Sequence, residues 1–222
     1  MDRPHRRLCC FPHAGAGASV FARWVEDLAP GVELCILQLP GRETRLREAP
    51  WTDLHRMAEG VVDHLEFDVP LVFYGHSFGA LVAFEAIHIM RARGMGMPVA
   101  LTVSGRRAPQ CSDPESPICG LSEEDFLEQV GFRYGGIPAA VRQDRELMSL
   151  LLPALRADMG LTEGYEYIPR GPLDVPILAF GGQDDARVTE EELTAWGLET
   201  TRCFEKEIFP GGHFFHLEQR RR

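Results

Sequence analysis

PLVFYGHSFGALVAFEAIHIMRAR, residues 70–93, decides how the rest of the chain is read. Its opening, 71–74, is a short β-branched and aromatic run behind Pro70, which suits a buried strand. Its close, 80–93, has no Gly or Pro and is rich in helix formers, so a helix is expected there. Between them stands Gly75-His76-Ser77-Phe78-Gly79, a G-x-S-x-G pentapeptide at a strand-to-helix junction. So sharp a turn forces Ser77 into a strained backbone conformation, and glycines two residues either side leave room for it. The Ser77 hydroxyl would then stand clear of the sheet edge. The backbone N–H of Phe78, at the start of the helix, could stabilise negative charge on a reacting oxygen. Accident alone would produce such a pentapeptide about 0.1 times in a chain of this length. A tight turn is therefore the plain alternative, and the surroundings must decide.

Working outward, strand-like and helix-like runs alternate. Residues 8–11 read as a first strand, followed by a loop of small residues at 12–18 and a helix that Ser19 could cap. Residues 32–38 form the next strand, 52–66 an amphipathic helix and 99–104 a strand beyond the elbow helix. This alternation predicts an α/β fold with a mostly parallel sheet covered by helices on both faces. It breaks over residues 106–170, which are turn-rich at first and helical from a capping-box-like Ser122, on through 141–155. An all-helical insertion at this point reads as a lid over the sheet's C-terminal edge. Phe132, Tyr165 and Tyr167 are lining or packing residues of it. The sheet resumes at 175–180 and again at 203–209, with a capping box at Thr189 and Glu192 opening a short helix between. The expected organisation is one domain over 1–222, with 106–170 inserted in it.

A serine hydroxyl becomes nucleophilic when a neighbouring base takes its proton. A histidine does this near neutral pH, and a carboxylate holds its ring in the correct tautomer. An acid follows the strand at 175–180 and a histidine follows the last strand, giving the order Ser77, Asp184 or Asp185, His213. That is the serine, acid, histidine order of α/β hydrolases. The pattern Gly-x-x-Asp-x-x-Val from Gly182 favours Asp185 over Asp184. His213, on a Gly-Gly loop directly after a strand, is favoured over His216, which is expected to be partly exposed. His76 is read as structural support, His13 is left open, and His55 and His64 fall on a solvated helix face.

Composition narrows the class. A net charge of −10 over 222 residues argues against nucleic acid or an acidic membrane as the main partner. The apolar run near the N-terminus is far too short for a secretory signal, and no run approaches a transmembrane helix, so a cytoplasmic protein is expected. The six cysteines show neither a C-x-x-C pair nor zinc spacing, so no metal site is expected. Cys9, Cys10, Cys35 and Cys203 lie in or beside strand-like runs and read as reduced, buried thiols.

With these residues assembled, the chain resembles the type II thioesterases, free-standing editing enzymes of polyketide and nonribosomal peptide synthesis. The matching pieces are Phe-Pro-His-Ala-Gly at 11–15, Leu-Pro-Gly-Arg-Glu at 39–43 and Gly-His-Ser-Phe-Gly-Ala at 75–80. Gly-Gly-x-Asp-Asp at 181–185, Ala-Trp at 195–196 and Phe-Pro-Gly-Gly-His-Phe-Phe at 209–215 complete them. The resemblance implies an α/β-hydrolase fold and hydrolysis of acyl groups from the phosphopantetheine arm of an acyl or peptidyl carrier protein, with no cofactor. It implies an oxyanion hole formed by the backbone N–H groups of Phe78 and Ala14. Thioesterase domains fused to synthases usually carry their acid after the preceding strand, where this chain has Ser104-Gly105-Arg106-Arg107, so the free-standing type fits better. The family pattern continues into a final helix beyond the histidine loop. This chain stops at Arg222, and the sheet face that helix would cover is expected to be exposed. A general esterase and a catalytically silent hydrolase fold are the rival readings. For docking an acidic carrier, Arg42, Arg45 and Arg47, or Arg106 and Arg107, are the candidate basic patches.

Overall fold

A computed structural model describes residues 4–135, 137, 141 and 143–219. Six strands form one sheet: β1 (Arg6–Phe11), β2 (Val32–Ile36), β3 (Leu71–His76), β4 (Ala100–Ser104), β5 (Ile177–Gly182) and β6 (Phe204–Phe209). Their order is β2-β1-β3-β4-β5-β6, and every neighbouring pair is parallel. All six C-terminal ends therefore share one edge. The chain builds outward from β1 to β2, then returns to place β3 on the other side of β1. The loop after β1 and the turn after β3 consequently flank a topological switch point, where open α/β sheets leave a crevice.

Among the described residues the α-helices between strands are α1 (Leu54–Val62), α2 (Phe78–Ala92), α3 (Glu123–Tyr134), α4 (Arg145–Glu163) and α5 (Glu190–Thr194), and α6 (Phe215–Glu218) follows β6. Asp53 caps α1 by accepting the Arg56 N–H, so the helix starts two residues later than the periodicity predicts. Helix α2 is apolar around most of its circumference and is buried from Phe78 through Met90. It lies with α1 on one face of the sheet, where Phe84, Ile87 and Met57 pack on Phe73, Leu101 and Ile177. Burying side chains of this size contributes roughly 1.5–3 kcal/mol each.

The other face is covered differently. Cys10 and Tyr74 pack there against Phe21 and Trp24 of a 3-10 helix, Ala18–Glu26. Ser19 does not cap it: the turn begins at Gly17, and side chains from the next loop satisfy its first N–H groups. Gln38 accepts from Ala18, and Glu43 accepts from both the N–H and the hydroxyl of Ser19. Val72, Leu178 and Phe180, on the same face, are only half-buried.

Between β4 and β5 the described residues contain the helices α3 and α4 and no strand. Ser122 caps α3 by accepting the Asp125 N–H, as the local pattern predicts. The helix expected over 141–155 begins as α4 at Arg145 and runs to Glu163; part of the predicted span falls outside the described residues. Thr189 and Glu192 form the expected capping box on α5.

Gly79 is where the fold is tightest. A Cβ there would lie 1.9 Å from the carbonyl oxygen of Phe11, so only glycine lets α2 start against the end of β1. Gly131, inside α3, has nothing within 4 Å of its would-be Cβ. Gly131→Ala should therefore stabilise the protein by about 0.5–1 kcal/mol. Gly79→Ala should cost at least the ~1–3 kcal/mol typical of overpacking. Urea denaturation of the two variants checks both signs.

Candidate active site

Ser77 sits between β3 and α2 with φ 53° and ψ −114°, a region that non-glycine residues avoid. Its N–H donates to the Ser104 carbonyl at 2.7 Å, which ties the turn to β4. From the β6 side, His213 brings Nε2 to 3.0 Å from Ser77 Oγ. Its Nδ1 lies 2.9 Å from Asp185 Oδ2. A carboxylate only accepts, so Nδ1 carries the proton and Nε2 is left to accept from the serine hydroxyl. The second carboxylate oxygen of Asp185 accepts the Arg187 N–H at 2.9 Å, which fixes its plane. The His213 and Asp185 side chains are 4% and 1% exposed. Asp184, the alternative acid, is exposed instead, and its N–H donates to the Gly211 carbonyl.

Beside Ser77 and His213 lies a cavity of about 260 Å³, walled by Ala14, Tyr134, Met148, Leu155, Met159 and Phe214. Helices α3 and α4 supply much of this apolar wall. Phe78 opens α2, so its N–H has no acceptor within the helix. Ala14 belongs to the loop after β1, which lines the same cavity. That loop is held from α4. Asp158, fully buried, accepts the Gly15 N–H at 2.8 Å and binds Arg42 through two hydrogen bonds of 2.6 and 3.1 Å. Burial pushes the Asp158 carboxyl up, while Arg42 and the Gly15 N–H pull the other way.

Several expectations are corrected here. Arg42 and Arg107 are buried and cannot belong to a surface docking patch: Arg42 is neutralised by Asp158, and Arg107 pairs with Asp113 and Glu192. His216 is buried, because α6 turns its ring onto His76 with centroids 3.8 Å apart. Cys9 and Cys10 are buried free thiols, but Cys35 lies exposed on the edge strand β2 and Cys203 lies exposed before β6. Phe132 is exposed, whereas the hydroxyls of Tyr165 and Tyr167 donate to Glu85 and Glu199; none of the three lines the apolar cavity. Tyr134 does, and its ring packs on His213 at 5.1 Å. Asp158 could have been suspected from sequence, since it interrupts an apolar stripe containing Leu151, Ala154, Leu155 and Met159. Among the described residues no His, Cys, Asp and Glu cluster could hold a metal ion, and no helix is long and apolar enough to cross a membrane.

A thioesterase domain family model matches residues 6–222. The chain is 41% identical over 216 residues to the gramicidin S biosynthesis protein GrsT of Aneurinibacillus migulanus, covering 96% of this chain and 84% of that one. Among solved structures it is similar to the RedJ thioesterase of the prodiginine biosynthetic pathway in Streptomyces coelicolor. The TM-score is 0.89 at 37% identity, over 96% of this chain and 87% of that one. The type II thioesterase BorB from the borrelidin biosynthetic cluster matches with a TM-score of 0.85 at 33% identity, over 99% and 89% of the two chains.

Three neutral histidines crowd His213. Burial, reinforced by neighbouring imidazoles, lowers His13 to about 3 and His216 to about 2, and holds His76 well below the usual range. Both ring nitrogens of His216 are buried without a partner, as is Nε2 of His76. In the unfolded chain these rings titrate near 6.5, so below that pH the unfolded state binds protons that the native state refuses. Stability is therefore lost as the pH falls from 6.5 toward the folded values, at up to about 1.4 kcal/mol per pH unit for each ring. His216→Phe should flatten the decline between pH 6 and 5 by about that slope. Urea midpoints across the range measure it.

Proposed function

The chain belongs to the thioesterase domain family, and from that membership we propose that it is a type II thioesterase acting in polyketide or nonribosomal peptide synthesis. On this reading it hydrolyses acyl thioesters from the phosphopantetheine arm of an acyl or peptidyl carrier protein, clearing stalled or mis-primed synthases. The observation that carries the reading is the unbroken hydrogen-bonded line Asp185, His213, Ser77 opening on an apolar cavity.

The reaction runs in two steps. Ser77 Oγ attacks the thioester carbonyl while His213 Nε2 takes its proton, and Asp185 stabilises the imidazolium that forms. Negative charge gathers on the former carbonyl oxygen, where the N–H groups of Phe78 and Ala14 donate. The carbon–sulfur bond breaks, His213 returns the proton to the leaving thiol, and an acyl-serine remains. Water then attacks that ester, His213 again taking and returning the proton, and the free acid leaves with Ser77 restored. The enzyme needs no cofactor, since the pantetheine belongs to the substrate.

The segment 106–170 acts as a lid in this reading, because α3 and α4 roof the cavity in which the acyl chain would lie. Asp158 sits on that roof and grips the N–H next to Ala14, so seating α4 also places the oxyanion donor.

Ser77→Ala should reduce hydrolysis of an acyl-pantetheine by at least about a thousandfold, the scale of losing a triad nucleophile. It should also abolish labelling by a fluorophosphonate. Unchanged turnover would sink the serine mechanism. Matched thioester and oxoester substrates complete the test, because a preference for oxoesters would identify a general esterase instead.

A further inference from the structure

Ser77 faces two cavities of opposite character. Away from the apolar one, a small space bounded by Ser77, His213, Arg106 and Tyr134 adjoins a second cleft of about 390 Å³. Arg106, Arg107, Arg133 and Arg187 line that cleft. Three of them are committed. Arg107 donates to the Ser112 and Arg187 carbonyls, Arg187 pairs with Asp113 and Glu115, and Arg133 pairs with Glu115. The remaining carboxylate in the cleft, Glu163, accepts the N–H groups of Ile118 and Cys119.

Arg106 is different. Among the described residues its guanidinium makes no ion pair and no side-chain hydrogen bond, and its Nε is buried without an acceptor. Burial pushes its pKa down, opposed by Tyr134 and Asp113. The main chain beneath it is fixed: the Gly105 N–H donates to the Phe180 carbonyl, and Trp196 Nε1 donates to the Arg106 carbonyl at 2.8 Å. Arg106 is half-buried, and a shielded N–H without an acceptor is costly. An oxygen acceptor on a ligand entering the cleft would satisfy it.

We propose that the arginine cleft receives the thiol half of the substrate, with Arg106 donating to an oxygen acceptor on the pantetheine arm. The proposal rests on the thioesterase reading and assigns each cavity its half of the molecule. With the thioester carbonyl at Ser77, the acyl chain enters the apolar cavity and the sulfur-linked arm leaves through the cleft. Two kinds of oxygen beyond the first amide of that arm share the required chemistry, the farther amide carbonyl and the terminal phosphate.

Three substrates with one acyl group separate these sources: the N-acetylcysteamine, pantetheine and phosphopantetheine thioesters. For the wild type, kcat/KM should rise along the series. In Arg106→Gln the advantage of the longer thiol over N-acetylcysteamine should fall by about tenfold, chiefly through KM, with Arg106→Lys recovering part of it. A loss already present with pantetheine identifies an amide acceptor, and a loss appearing only with phosphopantetheine identifies the phosphate. An equal loss on all three substrates would overturn the proposal, as would no change on any. Wild-type protein gives a second readout, in which free phosphopantetheine should compete with the N-acetylcysteamine thioester. Absence of competition at millimolar concentration would also overturn it. A wild type inactive on every thioester would instead refute the underlying enzymatic reading.

Discussion

The structure depends on keeping one serine in a backbone conformation that an L residue does not choose. Ser77 at φ 53° carries strain on the order of 1–3 kcal/mol, and the surroundings must impose it. They do so from both sides. Before the turn, β3 is paired with β1 and β4 along its length. After it, α2 is buried through Met90 and cannot shift without disturbing the main core. The contact between Gly79 and the Phe11 carbonyl leaves no slack between these two bodies. A helix apolar on nearly every side, unusual for a surface element, is thus what makes the turn affordable.

The other two members of the hydrogen-bonded line reach Ser77 in a different way. Asp185 and His213 stand on loops after adjacent strands, and those loops are cross-linked by backbone bonds before any side chain is involved. The Gln183 N–H donates to the Phe209 carbonyl and the Asp184 N–H to that of Gly211. A Cβ on Gly182 would lie 2.4 Å from the Gly212 oxygen, so a side chain there would push the loops apart. These main-chain bonds hold the two loops in register, and the Arg187 N–H orients the carboxylate that meets the imidazole at 2.9 Å.

This division explains what was legible in the sequence. Ser77, Asp185 and His213 each follow a strand inside a short local pattern, and parallel strands must deliver their ends to one edge. Strand and helix identities were readable for the same reason, being set by periodicity within a dozen residues. What escaped was long-range. The partnership of Arg42 with Asp158 spans 116 positions, and nothing near Arg42 announces a burial partner. The burial of His216 comes from its packing on His76, 140 positions earlier, and no local pattern signals it. Ser19 failed as a cap because Gln38 and Glu43 reach across to satisfy the same N–H groups.

Where the arginines are spent bears on how a chain of net charge −10 could meet an acidic carrier. Arg7 is buried against Glu33 and Asp68, Arg42 against Asp158, Arg107 and Arg187 against the acids of the cleft, and Arg170 holds Glu85. Their charge is cancelled locally, within the protein, where removing one partner would strand the other. Such pairs fix the relation of segments far apart in sequence, α4 to the loop after β1 above all, and project little field into solvent. These arginines therefore supply no broad positive face for long-range steering of an acidic partner. On the proposed reading selectivity is better placed at short range, where Arg106, without an ion partner among the described residues, would meet the arm and an apolar chamber would accept or refuse the acyl chain.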